Sequence, residues 1–202
     1  MKISKQIKQY IESIAQGEPF TATELLRFGS RATVDQTLSR LAKAGLLTRV
    51  SRGVYVRAKE SRYVGKVVPE PFSIARAVAR STGAIFQVHG AEAARRLELT
   101  TQVPTQPIFQ TTGPTRRLRV GQLEILLQHV SQRKLTLAGT PAGLALAALW
   151  YLGQQGVTSA TIAAVRKKLG PEEFEAFRMA APSMPAWMSD AIHRSERDVF
   201  HG

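Results

Sequence analysis

Between Ser30 and Arg52 the chain carries a run of side chains suited to reading a nucleic acid. Ser30, Arg31, Thr33, Gln36, Ser39, Arg40 and Lys43 lie in one short stretch, and Arg49 and Arg52 follow it. Gln makes paired hydrogen bonds to adenine and Arg to guanine, whereas Lys, Ser and Thr supply donors for phosphate oxygens. Spacing gives these residues a common face. Val34, Leu38 and Leu41 form an apolar stripe on a helix expected from about Ala32 to Ala44. Ala32, Gln36, Ser39 and Lys43 then fall on the opposite face, with Thr33 and Arg40 on its flank. That face holds no carboxylate. Asp35 is placed toward the buried side, where it pairs with Arg31 or, in the other reading, accepts a hydrogen bond from cytosine. An ordinary solvated helix face is the alternative reading of the whole set.

Such a helix needs elements to present it. Ile3, Ile7, Ile11 and Ile14 recur at helical spacing, which predicts a helix from Lys2 to Ala15. Gly17-Glu-Pro-Phe20 breaks it. Thr23 is expected to cap a short helix from Glu24 to Phe28, and Gly29-Ser30-Arg31 makes a tight turn into the reading helix. Gly45 ends that helix. A strand, a turn at Ser51-Arg52-Gly53 and a return strand to Val56 follow, with Arg49 and Arg52 near the tip. Tyr55 is read as packing within this hairpin. Helix, turn, helix and basic hairpin in this order make a winged helix-turn-helix, whose second helix enters the major groove of duplex DNA.

The run GSRATVDQTLSRLAKAGLLTRVSRGVYV, Gly29 to Val56, resembles the winged helix-turn-helix of abortive-infection type IV (AbiEi-like) antitoxins. The features that carry the resemblance are Val34, Asp35, Gln36, Leu38, Ser39, Arg40 and Leu41, then Arg52, Gly53 and Tyr55. The segments His89–Pro104, Ile108–Gly121 and Pro185–Met188 are similar to a branch of the same family. The resemblance implies an antitoxin that represses its own operon and counters a nucleotidyltransferase-like toxin without having to form a stable complex with it. A stand-alone regulator with a ligand-sensing or dimerising second domain is the runner-up. An RNA-binding or RNA-modifying accessory protein is the third reading.

Proline marks a boundary, since only Pro19 precedes residue 69. Arg57–Lys66 is charged and without apolar periodicity, and reads as a linker or an exposed strand end. The expected division is residues 1–66, the winged helix-turn-helix, and 67–202, a mixed α/β domain with a small antiparallel sheet; the whole is α+β. Helices are expected over Phe72–Arg80, Gly90–Leu97, Thr140–Tyr151, Ser159–Leu169, from Pro171 and over Pro185–His193. Strands are expected over Ala84–Val88 and, as a meander, Ile108–Thr112, Arg117–Val120 and Leu123–Val130. Alternation in this meander puts Arg117 and Arg119 on one face and Leu118 and Val120 on the other. With Arg116 they form a possible secondary basic surface.

The chain has 202 residues and a net charge of +13. Residues 1–66 carry +8, residues 67–139 carry +5, and the remainder is neutral. A basic chain is drawn to nucleic acid, to an anionic membrane or to an acidic partner. No apolar run reaches the roughly 20 residues a membrane helix needs, and the first residues lack the apolar core of a signal peptide, so the expected compartment is the cytoplasm. There is no cysteine. His89, His129, His193 and His201 are scattered, and His89 is read as a strand-end residue. No phosphate-loop lysine follows Gly153 or Gly156, no serine elbow occurs, and Asp35, Asp190 and Asp198 form no carboxylate cluster. The sequence therefore predicts no catalytic residues, no metal and no cofactor. It does not give the operator or the oligomeric state.

Overall fold

The computed structural model of the chain describes residues 3–57, 60–61, 65–66 and 68–200. The fold is α+β and divides into two compact units. One contains Met1–Ala84 and Arg116–Leu126; the other contains Ile85–Thr115 and Leu127–Gly202. The join expected at 66/67 thus falls inside the first unit, and half of the expected linker (58–59 and 62–64) lies outside the described residues. Two short strands, β4 (Glu60–Ser61) and β5 (Gly65–Lys66), pair antiparallel there.

The first unit opens with α1 (Ile3–Ser13), which buries Ile7 and Ile11. β1 (Pro19–Thr21) follows, where the sequence suggested only a break. It pairs antiparallel with β3 (Val54–Arg57), and β3 pairs with β2 (Leu47–Ser51), giving the order β1-β3-β2. A 3-10 turn, Thr23–Phe28, precedes α2 (Arg31–Lys43). Thr23 does not cap that turn. Thr21 does so in effect: its backbone N–H and hydroxyl donate to the Glu24 carboxylate, and its hydroxyl accepts from the Glu24 N–H. This reciprocal arrangement satisfies two backbone donors at the start of the turn. Ile7, Phe20, Leu25, Val34, Leu38 and Leu47 meet in one core. Tyr55 is buried and stacks on Phe20 at 6.2 Å between centroids. Arg57 is no linker residue, for its guanidinium donates to the carbonyls of Glu12 and Ile14 and ties β3 to the end of α1. α3 (Pro71–Arg80) packs on β1, with Arg80 donating to the Pro19 carbonyl and lying 3.6 Å from Glu24.

The second unit contains β6 (Phe86–Val88) and β7 (Ile108–Thr111), paired antiparallel, and the helices α4 (Gly90–Arg96), α5 (Pro141–Gly156), α6 (Ser159–Met179) and α7 (Ala186–Phe200). A 3-10 turn at Gln132–Leu135 was not foreseen. α6 breaks at Gly170, whose φ of 73° interrupts the helix just before Pro171, as the expected fresh start there requires. Glu173 accepts from the Ala142 N–H at 2.9 Å and so satisfies a donor at the start of α5. Leu146, Leu149, Ile162, Phe177 and Met188 are buried.

β8 (Arg116–Val120) and β9 (Leu123–His129) complete a four-stranded sheet in the order β6-β7-β9-β8. The expected meander is therefore corrected: β9, not β8, lies beside β7. Arg116–Leu126, comprising β8 and the start of β9, belongs to the first unit.

Candidate nucleic-acid interface

α2 starts where the sequence supplies a cap. The Ser30 hydroxyl accepts from the Thr33 N–H at 3.3 Å and lies 3.0 Å from the Thr33 hydroxyl. Both residues sit at the helix entrance and are occupied in shaping it. Gly45 (φ 74°) allows the chain to leave the helix, with the Leu46 N–H donating to the Leu41 carbonyl.

Val34, Thr37, Leu38 and Leu41 are buried. Thr37 was not part of the expected stripe; its hydroxyl donates to the Thr33 carbonyl at 2.8 Å, so it enters the core satisfied. This widens the buried stripe on the side away from Asp35. Asp35 is accordingly half exposed rather than turned inward, a correction of its expected orientation, and it accepts from Arg31 at 2.8 Å. Gln36, Ser39, Arg40 and Lys43 are exposed together on the outer face. Among the described residues, no hydrogen bond or ion pair engages these four side chains.

In the hairpin, Arg49 and Arg52 are both exposed. Gly53 (φ 77°) makes the turn, and its carbonyl accepts from the Ala22 N–H at 2.9 Å. A register shift between Arg49 and Ser51 marks a bulge, which bends the strand and strengthens its local twist.

Arg116, Arg117 and Arg119 are exposed on β8, and Leu118 and Val120 are buried, as alternation required. The structure adds what the sequence did not bring together. Arg31, Arg52, Arg116 and Arg117 line one cleft of about 420 Å³, entirely within the first unit. Arg119 does not line it. Arg117 is paired with Glu124 at 2.9 Å and Arg31 with Asp35. Among the described residues, no carboxylate pairs with Arg52 or Arg116. Local pattern could not have found this cleft, because β8 is remote in sequence from α2 and the hairpin. The one signal was three arginines within Arg116–Arg119 and no acidic residue beside them.

The charge follows the units. The first carries eighteen Lys and Arg against seven Asp and Glu, a net +11; the second carries ten against eight, a net +2. Among the described residues no cluster of His, Asp or Glu could hold a metal ion. No described helix is long and apolar enough to cross a membrane.

Comparison with known proteins returns one family model, which matches residues 6–177 and is described as a family of unknown function, DUF6088. The chain belongs to the DUF6088 family. The match runs from α1 into α6, so it takes in α2, the hairpin and β8 alike. No curated protein matches the chain.

Proposed function

We propose that this DUF6088 chain binds duplex DNA as a winged helix-turn-helix protein. α2 serves as the recognition helix and the β2–β3 hairpin as the wing. The observation that carries this reading is the exposed outer face of α2, Gln36, Ser39, Arg40 and Lys43, which no described residue pairs, on a unit of net charge +11. Gln36 is suited to base edges, and Arg40, Lys43, Arg49 and Arg52 to phosphates or guanine. Ser30 and Thr33 position the helix entrance, where N–H groups of a recognition helix approach the backbone.

The test is selection of a preferred duplex from a random library, followed by titration of that duplex and a scrambled one. Gln36→Ala should cost about 1–3 kcal/mol on the preferred duplex and relax its selectivity; Lys43→Ala should weaken both duplexes alike. A wild-type chain that enriches no duplex, or binds single-stranded RNA as tightly, overturns the reading.

The resemblance to type IV antitoxins supports a further step: the DNA bound is the chain's own operator, and the chain counters a nucleotidyltransferase-like toxin. Growth on co-expression with the product of the adjacent reading frame tests that step, and absence of rescue removes it while leaving DNA binding in place.

A further inference from the structure

The winged-helix reading uses Arg52 at the hairpin turn but gives no role to β8, whose Arg116 and Arg117 line the other side of the cleft. Four arginines from three elements line it, although placing like charges together gains nothing for the fold. Asp35 and Glu124 offset Arg31 and Arg117. Among the described residues, Arg52 and Arg116 leave an excess of two positive charges. Among the described residues that line the cleft none is aromatic, so they offer no platform on which a base could stack. Guanidinium groups without a stacking ring suit phosphate, which they grip by paired hydrogen bonds. Two successive phosphodiesters would balance the excess. The cleft is continuous with Arg31 at the entrance of α2 and with Arg52 at the hairpin turn, so a duplex lying on both would bring its backbone to Arg116 and Arg117.

We propose that β8 is a third DNA-contacting element, whose Arg116 and Arg117 clamp the phosphate backbone of the duplex read by α2. This rests on the reading of α2 and the hairpin as the DNA-binding elements. It adds to that reading a sequence-independent grip from a segment some sixty residues further along the chain.

The experiment uses the full-length chain and a labelled mixed-sequence duplex, with affinity followed by anisotropy across a salt series. Three proteins are compared: wild type, Arg116→Gln with Arg117→Gln, and Arg194→Gln with Arg197→Gln on α7. The last pair is exposed and removes equal charge from the other unit. Log affinity falls with log salt by about 0.9 per neutralised phosphate. The β8 double variant should therefore show a slope shallower by roughly 1.8 and bind about tenfold more weakly at moderate salt. The α7 variant should stay close to wild type. Thermal unfolding of all three confirms that the exposed substitutions leave the fold intact. Equal slopes for the β8 and α7 variants overturn the proposal while the DNA reading stands. A wild-type chain that binds no duplex overturns both. A mononucleotide that binds wild type, is lost in the β8 variant and leaves the duplex slope unchanged makes the cleft a site for free phosphate esters, which also overturns the backbone assignment.

Discussion

His89 shows how one side chain can make the fold respond to pH. It caps α4 through its ring, with Nδ1 accepting from the Ala91 N–H at 3.2 Å, and the ring lies T-shaped to that of Tyr151, 5.8 Å between centroids. An accepting nitrogen cannot carry a proton, and burial lowers the pKa of the ring below the usual 6.5. The unfolded chain therefore takes up a proton before the folded one does. The stabilisation is complete above pH 6.5 and is lost as pH falls through the lowered native value. Glu92, in the same helix, does not titrate in that window: hydrogen bonding from Arg95 and Arg96 holds it at about 2. Asn is itself a strong cap and does not ionise. Thermal midpoints of wild type should drop between pH 7.5 and 5.5, and His89→Asn should remove His89's share of that drop. Parallel curves for the two proteins would show that the cap does not titrate.

Among the elements, those fixed by local pattern were legible and those fixed by distant pairing were not. The stripe Val34, Leu38 and Leu41 announced α2, and Gly45 and Gly53 announced its exit and the hairpin turn. β1 escaped because Pro19–Thr21 is too short to show alternation. It becomes a strand only by pairing with β3, whose Val56 lies opposite Pro19. The order β7-β9-β8 escaped because sequential strands are the usual neighbours, and nothing in Arg116–Val120 says that β9 will take the inner place. The arginine cleft is legible only once that arrangement is known. Gly90, at the start of α4, exposes another contact that pattern does not reveal. A Cβ there would lie 2.5 Å from the Ala147 carbonyl oxygen of α5 and 2.5 Å from the Tyr151 Cβ. The oxygen belongs to helix backbone and cannot turn aside. Gly90→Ala should force α4 away from α5 and cost about 1–3 kcal/mol, the usual range for overpacking. A urea midpoint unchanged from wild type would mean that the two helices part without strain.

At the scale of the whole molecule, the chain leaves the first unit after Ala84, returns to it over Arg116–Leu126 and leaves again. The proline boundary at residue 69 marks the start of α3, not the end of the unit. α3 buries Ile74, Ala75 and Val78 and packs on β1, while Arg76 and Arg80 both reach Glu18. A fragment of residues 67–202 keeps α3 and β8 but loses β1, Glu18 and Glu24. Burying an Ile or Val side chain is worth about 1.5–3 kcal/mol, so uncovering part of this face should cost a few kcal/mol. The ion pairs add little, since Arg76 and Arg80 are half exposed and solvent screens them. The fragment should bind a hydrophobic dye, and amide exchange should be fast over α3 while α5 and α6 remain protected. Full-chain protection of α3 in the isolated fragment would mean that α3 folds with the second unit. Function cannot then be divided by cutting at 66/67, because the cut also separates Arg116 and Arg117 from Arg31 and Arg52. Substitutions in the intact chain, such as the β8 and α7 pairs, remove charge from one unit at a time without this confusion.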